Sequence, residues 1–413
     1  MKRQAVITGL GIVSPIGVGV ERFWDGALAG RSGISTPTLF DATKLPRECQ
    51  IVGEVADFNV RDWMPGAAGK MAGRFSQFAV AAAKMARDDS SLDRADIRPE
   101  RIKVAIGTSL SGQIDVAQSN FVSFLKGETI SPWASNEYSA HAATSHVAID
   151  AGARGQTTTF STACAAGLDA VAWGANQVTG GDADVVIAGA TEAPLSEFIL
   201  SVFKSVGVLS RWLGPPEEAS RPFDRLRAGL VLAEGAAALI VEDADAARAR
   251  GVPIHARILG FASASEGAHL RKVDETGETV ARALTLAIRK SGLEPRDIDF
   301  ISAHGNSMPD YDAAETAGIK RAFGSHAWNV PVSSLKSMCG QALAASSAMQ
   351  VVAACLSLRT QVIPPTVNYR VPDPQCDLDY VPNHARRARV RNVLIHAHSL
   401  GGSHVAMVLS TPD

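Results

Sequence analysis

The amino-acid sequence predicts an α/β protein of two similar halves, and three observations carry the prediction. Short β-rich runs alternate with helical ones along the chain. The β-rich runs are almost continuously apolar, the pattern of sheets covered on both faces. Finally, DVVIAGATE (184–192) leading to GAAALIVED (235–243) is echoed by NVLIHAHSLGG (392–402) leading to SHVAMVLS (403–410), so each half closes with two strands around a polar or Gly-bearing connection.

The predicted strands are AVIT (5–8), KVAIGT (103–108), DVVIAGA (184–190), AAALIVE (236–242), DFIS (299–302), NVLIHA (392–397) and VAMVLS (405–410). Phe75, Phe78, Ala79, Ala82 and Met85 share one face of a helix over 74–90, and Val280, Ala283, Leu284, Ala287 and Ile288 do the same over 277–290. Both helices are expected to cover a sheet. The charged helix and turn EDADAARARGVP (242–253) divides the halves, giving an N-terminal half of 1–250 and a C-terminal half of 251–413.

With 413 residues, 46% of them hydrophobic, the chain has length for two or three core-forming units. Lys and Arg number 40 against 42 Asp and Glu, a net charge of −2, so no basic excess points to nucleic acid as a partner. The cysteines Cys49, Cys164, Cys339, Cys355 and Cys376 are sparse and irregular, without the C-x-x-C pairs of a zinc ribbon. Reduced thiols in a cytoplasmic setting are expected. The start, Met1-Lys2-Arg3 before an apolar stretch, imitates a signal peptide, but Gly9, Gly11, Ser14 and Pro15 interrupt that stretch. No run has the 18 consecutive apolar residues or more of a transmembrane helix, so no membrane span is expected.

GLGIVSPIG after the first strand falls short of a dinucleotide fingerprint, with Ser14 where the third glycine belongs. Three segments carry more. In TTTFSTACAAGLDAVAWGANQV (157–178) a β-rich run meets Cys164, and the small residues Ala165, Ala166, Gly167 and Ala170 let a helix starting there pack closely. A thiol beside unpaired backbone N–H groups and the positive end of a helix dipole is favoured as thiolate. DFISAHGNSMPDYDAAE (299–315) runs a strand into His304, with Pro309 breaking the chain and Glu315 opening the next helix. PVSSLKSMCGQALAAS (331–346) places Lys336 in a polar turn before an Ala-rich helix. Together these residues make a thiol-nucleophile site plausible; spacing alone does not decide it.

The chain resembles the elongating β-ketoacyl-acyl-carrier-protein synthases of fatty-acid and type II polyketide pathways. VITGLGIVSPIG (6–17), FWDGALAGRSGI (23–34), STACAAG (161–167), GDADVVIAGATEA (181–193), RPFD (221–224), AHG (303–305), SSLKSM (333–338) and PPTVNYRVPDPQCDLDYVPNHAR (364–386) match the family pattern in order over nearly the whole chain. The resemblance implies a thiolase-like fold of two halves in five α-β-α-β-α layers, normally dimeric, with itself or with a homologous ketosynthase or chain-length factor. It implies acyl carrier protein as partner, substrates carried on that protein's phosphopantetheine, and no further cofactor. Cys164 would accept the acyl group, its backbone N–H serving as one oxyanion donor. His304 would hydrogen-bond the malonyl thioester carbonyl during decarboxylation, Lys336 would tune the site's electrostatics and Glu315 would hold Lys336.

The departures from the pattern cluster. Where the family has its second histidine this chain has Gln341, whose amide can donate a hydrogen bond but cannot titrate. Asn306 and Met308 replace threonines near the pantetheine arm, Ala228 stands where an acidic residue is usual, and Leu400 replaces the aromatic gate in HSLGGSH (398–404), whose backbone N–H completes the oxyanion hole. His396, His398 and His404 suggest a metal by their alternation, but spacing supplies no third ligand of suitable type, and the resemblance assigns them to the gating loop; no metal is expected. The expected activity is loading of Cys164 and decarboxylative condensation with a malonyl-type extender, in a specialised polyketide or modified fatty-acid pathway. A chain-length-factor-like non-catalytic partner and a non-condensing acyltransferase are the alternatives that Gln341 keeps open.

Overall fold

The computed structural model describes residues 3–111 and 115–412. The first half supplies strands β1 (Ala5–Ser14), β2 (Ile102–Gly107), β3 (Thr157–Phe160), β4 (Val185–Glu192) and β5 (Gly235–Asp243). The second supplies β6 (Ala256–Ser265), β7 (Phe300–Ser302), β8 (Val332–Ser333), β9 (Asn392–Ser399) and β10 (Ser403–Ser410). The lateral order is β3-β2-β4-β5-β1 in the first half and β8-β7-β9-β10-β6 in the second, the same order twice. In each the first two pairings are parallel and the last two antiparallel. The two arrays meet where β1 pairs with β6 over Val6–Arg257 and Ile7–Ala256.

The helices repeat as well: α1 (Arg74–Asp89), α2 (Ala142–Ala151) and α3 (Ala166–Thr179) in the first half, α4 (Glu278–Ser291), α5 (Pro309–Phe323) and α6 (Leu343–Thr360) in the second. α1 and α2 cover one face of the first sheet, α4 and α5 cover the second, and α3 and α6 pack against each other between them. The five-layered arrangement is the one the resemblance implied. Buried on both faces, β1, β4, β5 and β9 have no room for polar alternation, which explains their continuous apolar sequences. The sequence-predicted helices over 74–90 and 277–290 correspond to α1 and α4, with the named faces turned inward except Met85, which is only partly buried. The sequence reading left out β6, whose ARILGFASAS run alternates buried and partly exposed residues.

Two local packings explain sequence features. A Cβ on Gly9 or Gly11 would stand 2.1 Å from the Ala86 carbonyl oxygen or 1.9 Å from that of Ala82, so the Gly-x-Gly of β1 serves the close approach of α1. A Cβ on Gly167 would stand 2.8 Å from the Ala344 carbonyl oxygen and the Ser347 hydroxyl, so the small residues after Cys164 let α3 lie directly on α6. Met1 and Lys2 lie outside the described residues, and the apolar stretch that follows them is the buried strand β1. Among the described residues one helix, α6, is long and apolar enough to cross a membrane; 89% of it is buried inside the fold, where it is the central-layer helix.

Candidate active site

Cys164 occupies a single 3-10 turn, Ala163–Ala165, between β3 and α3. Ala163 takes a left-handed conformation with φ 51°, a costly state for a residue with a Cβ. The turn is fixed by Ser399 at the end of β9, whose hydroxyl donates to the Thr162 carbonyl at 2.8 Å and accepts from the Ala165 N–H at 3.0 Å. This strap ties the nucleophile turn to the residue preceding Leu400. The sequence reading missed Ser399, and no spacing rule marks a serine from the opposite half, 234 residues away from its partner.

The sequence expectation of a thiol held toward thiolate is corrected by its surroundings. Cys164 is buried, and burial pushes its pKa up to about 11; the Gln341 amide and the Lys336 ammonium pull it down by less. Buried among Leu200, Leu209, Leu232 and Leu343, with Met308 packed against them, the thiol has an apolar wall that outweighs the helix end. Cys339 and Cys376 are pushed to about 12 and Cys355 further up, so Cys164 is less strongly raised than these three.

His304 follows β7 and is buried by the same crowded centre. The backbone N–H of His398 donates to its Nδ1 at 3.2 Å, so in the neutral ring the proton sits on Nε2. Asn306 Nδ2 stands 3.2 Å from that Nε2 while Asn306 Oδ1 accepts from the Met308 N–H at 3.0 Å. Asn306 therefore turns its amide NH2, not its oxygen, toward His304, so two donors converge there and a substrate carbonyl oxygen set between them would accept from both. Burial first, then the Lys336 charge and the neighbouring histidines, holds His304 well below the usual imidazole pKa, so it acts as a neutral donor.

Lys336 and Glu315 complete the support, but not as the resemblance implied. Glu315 receives the backbone N–H groups of His304 (2.7 Å) and Gly305 (2.8 Å) and the His396 Nδ1 (2.5 Å). Lys336 Nζ donates to the His304 carbonyl at 2.6 Å and reaches Gln350 Oε1 at 3.4 Å. Glu315 thus holds the His304 backbone directly and touches Lys336 only through the attraction of opposite charges. Burial lowers Lys336 to about 8, with Glu315 opposing it. Burial works to raise Glu315, yet His396 and the three hydrogen bonds prevail and leave it lowered.

Gln341 lies beside Cys164 with 1% of its surface exposed. Its backbone is locked, N–H to the Val231 carbonyl (2.7 Å) and C=O from the Ala233 N–H (3.0 Å). Neither Oε1 nor Nε2 of its side chain has a well-formed hydrogen-bond partner among the described residues. The amide is near enough to be felt by the thiol without bonding it in good geometry. Leu400 is half-buried at the tip of the β9–β10 hairpin, where Gly401 (φ 93°) and Gly402 (φ 78°) make the turn.

Two similar α/β halves, a cysteine on a strained turn at their shared centre and a neutral histidine donor from the second half define a class of thiol-dependent acyl-transfer proteins. The comparisons place the chain within it. Residues 2–247 match the family model "Beta-ketoacyl synthase, N-terminal domain" and 255–370 match "Beta-ketoacyl synthase, C-terminal domain". The chain belongs to the β-ketoacyl synthase family. It is 39% identical over 418 residues to the tetracenomycin polyketide synthase ketoacyl synthase alpha subunit of Streptomyces glaucescens, covering 100% of this chain and 98% of that one. It is 37% identical to the 3-oxoacyl-[acyl-carrier-protein] synthase 2 of Coxiella burnetii, covering 99% of each. Among solved structures it matches a type II polyketide ketosynthase in complex with its acyl-carrier protein and bound to the hexaketide, at TM-score 0.92, 34% identity and full coverage of both chains. The ishigamide ketosynthase/chain length factor matches equally well, at TM-score 0.92 and 33% identity, again covering 100% of both chains.

Proposed function

We propose that this chain is a catalytic ketosynthase that takes an acyl group from an acyl-carrier-protein thioester onto Cys164 and condenses it with a malonyl-type extender. The observation that carries the reading is the joint presence of Cys164 on its strained turn and of His304 with Nε2–H free of any acceptor from Asn306. A non-catalytic subunit has no use for either. In the first step the Cys164 sulfur forms a bond to the acyl carbonyl, the carrier's thiolate leaves, and the cysteine proton goes to it. With the thiol near 11, that proton departs as the thioester arrives instead of beforehand. The Cys164 N–H and the Leu400 N–H would hold the oxyanion.

In the second step the bond to the malonyl carboxylate breaks, CO2 leaves, and the electron pair enters an enolate whose oxygen receives hydrogen bonds from His304 Nε2–H and Gln341 Nε2. The enolate carbon attacks the acyl-Cys164 carbonyl and the cysteine thiolate leaves to take up a proton. Gln341 serves as a permanent donor, a role that needs no titration. Its amide supports this, since a carboxamide with no well-formed partner among the described residues is available to substrate. Phe121, Phe124 and Leu125, each about 60% exposed or more, form an apolar face with Tyr138 and Phe198 that supports pairing with a second chain of this fold.

The test incubates the purified chain with acyl- and malonyl-carrier protein and follows CO2 and the β-ketoacyl product by mass. Both are expected from wild type. Acyl transfer without CO2 would replace the reading by a non-condensing acyltransferase. No covalent loading would favour the chain-length-factor role, for which Gln341 is the residue that speaks.

A further inference from the structure

We propose that Glu266, His398 and His404 bind one divalent transition-metal ion of the zinc class, set between the end of β6 and the β9–β10 hairpin. The site lies beyond the reading given above and does not depend on it. Its ligands are placed by sheet register: His398 and His404 are directly paired across β9 and β10, and Glu266 follows β6, its N–H donating to the Gly402 carbonyl at 2.9 Å. His404 Nε2 lies 3.0 Å and His398 Nε2 3.8 Å from Glu266 Oε1, and the three ligand atoms fall within 4.8 Å of one another. Zinc bonded at about 2.0–2.2 Å spaces tetrahedral ligands roughly 3.3 Å apart. The two rings are stacked with centroids at 4.0 Å, so ligation asks them to splay until their Nε2 atoms converge.

One feature points to a cation here. His398 Nε2 is buried and has no hydrogen-bond partner among the described residues, an orphan nitrogen facing the Glu266 carboxylate. Behind it His404 Nε2 meets the same carboxylate at 3.0 Å, and His404 Nδ1 lies 3.3 Å from His396 Nε2, whose Nδ1 is held by Glu315. The arrangement is also the support that metal-bound histidines usually have, a second ring nitrogen anchored to a carboxylate-backed partner. A bound ion would pin the hairpin that carries Leu400 to the end of β6 and so stiffen the entrance.

The experiment strips the full-length protein with a chelator and titrates Zn2+ against a chromophoric competitor. One Zn2+ per chain is expected, retained in Cys164→Ala, weakened at least tenfold in Glu266→Gln and His404→Asn, and weakened about 10–100-fold in His396→Asn. No uptake would overturn the proposal and leave a plain His404–Glu266 hydrogen bond; uptake lost in Cys164→Ala, or unchanged in Glu266→Gln, would overturn it as well. The wild-type Co2+ spectrum decides where a variant does not fold. Ligand-field bands without a thiolate charge-transfer band support the site, and a thiolate band or no spectrum refutes it.

Discussion

Replacing Gln341 by methionine separates a residue kept for chemistry from one kept for structure. The side chain is 1% exposed, and both amide atoms lack a well-formed protein partner, while its backbone is bonded on both sides and does not depend on the side chain. A buried polar group without a partner costs about 1–3 kcal/mol, and methionine fills nearly the same volume without that cost. Contact with the Cys164 thiol recovers part of the penalty, so Gln341→Met is expected to stabilise the chain by about 1–2 kcal/mol in urea unfolding. The same change removes an enolate donor and should lower malonyl decarboxylation by about 10²–10³. Greater stability with lost activity marks a site that sacrifices stability for function. A variant that is less stable yet decarboxylates at the wild-type rate would refute the assignment of Gln341 as donor.

Further expectations follow from the same geometry. His304, His398 and His404 are held below the ordinary imidazole range by burial, His404 at about 3, whereas unfolded imidazoles titrate near 6.5. Below about pH 6.5 the unfolded chain binds more protons, so stability is lost as the pH falls, by up to about 1.4 kcal/mol per pH unit for each histidine, and above it they contribute no slope. Unfolding midpoints that stay flat between about pH 7 and 5 would contradict this. Leu400→Phe places a rigid aromatic at the hairpin tip; in competition loading, wild type should accept branched or unsaturated chains as well as straight ones, and the variant should discriminate more sharply, by about 1–3 kcal/mol per methylene at most. A preference for straight chains in wild type that Leu400→Phe leaves unchanged would remove the gate as its source.

The repeat of two strands at each half's end was legible because buried sheets demand continuous apolar runs, and the structure extends it to a complete β3-β2-β4-β5-β1 order repeated as β8-β7-β9-β10-β6. Cys164, His304 and Lys336 were legible by their placement at strand and helix ends. Hidden from the sequence were contacts made across the chain: Ser399 clasping the nucleophile turn, Gln350 reaching Lys336, and Glu266 meeting His404 from 138 residues away. The thiol's direction of shift was also misread, since the helix end is local and visible in sequence whereas the leucine wall that raises it is assembled from four segments. The resemblance implied that Glu315 holds Lys336, whereas Glu315 accepts the His304 and Gly305 N–H groups, a contact that follows only from the turn after β7.

The central claim is that Cys164 is the acyl acceptor. Wild type and Cys164→Ala are incubated with an acyl-carrier-protein thioester, and the intact mass and peptide map of each are recorded. The account predicts one acyl group per chain in wild type, mapped to the peptide containing Cys164, and none in Cys164→Ala. An acyl group on Cys339 or Cys376, or equal loading of the variant, would contradict it.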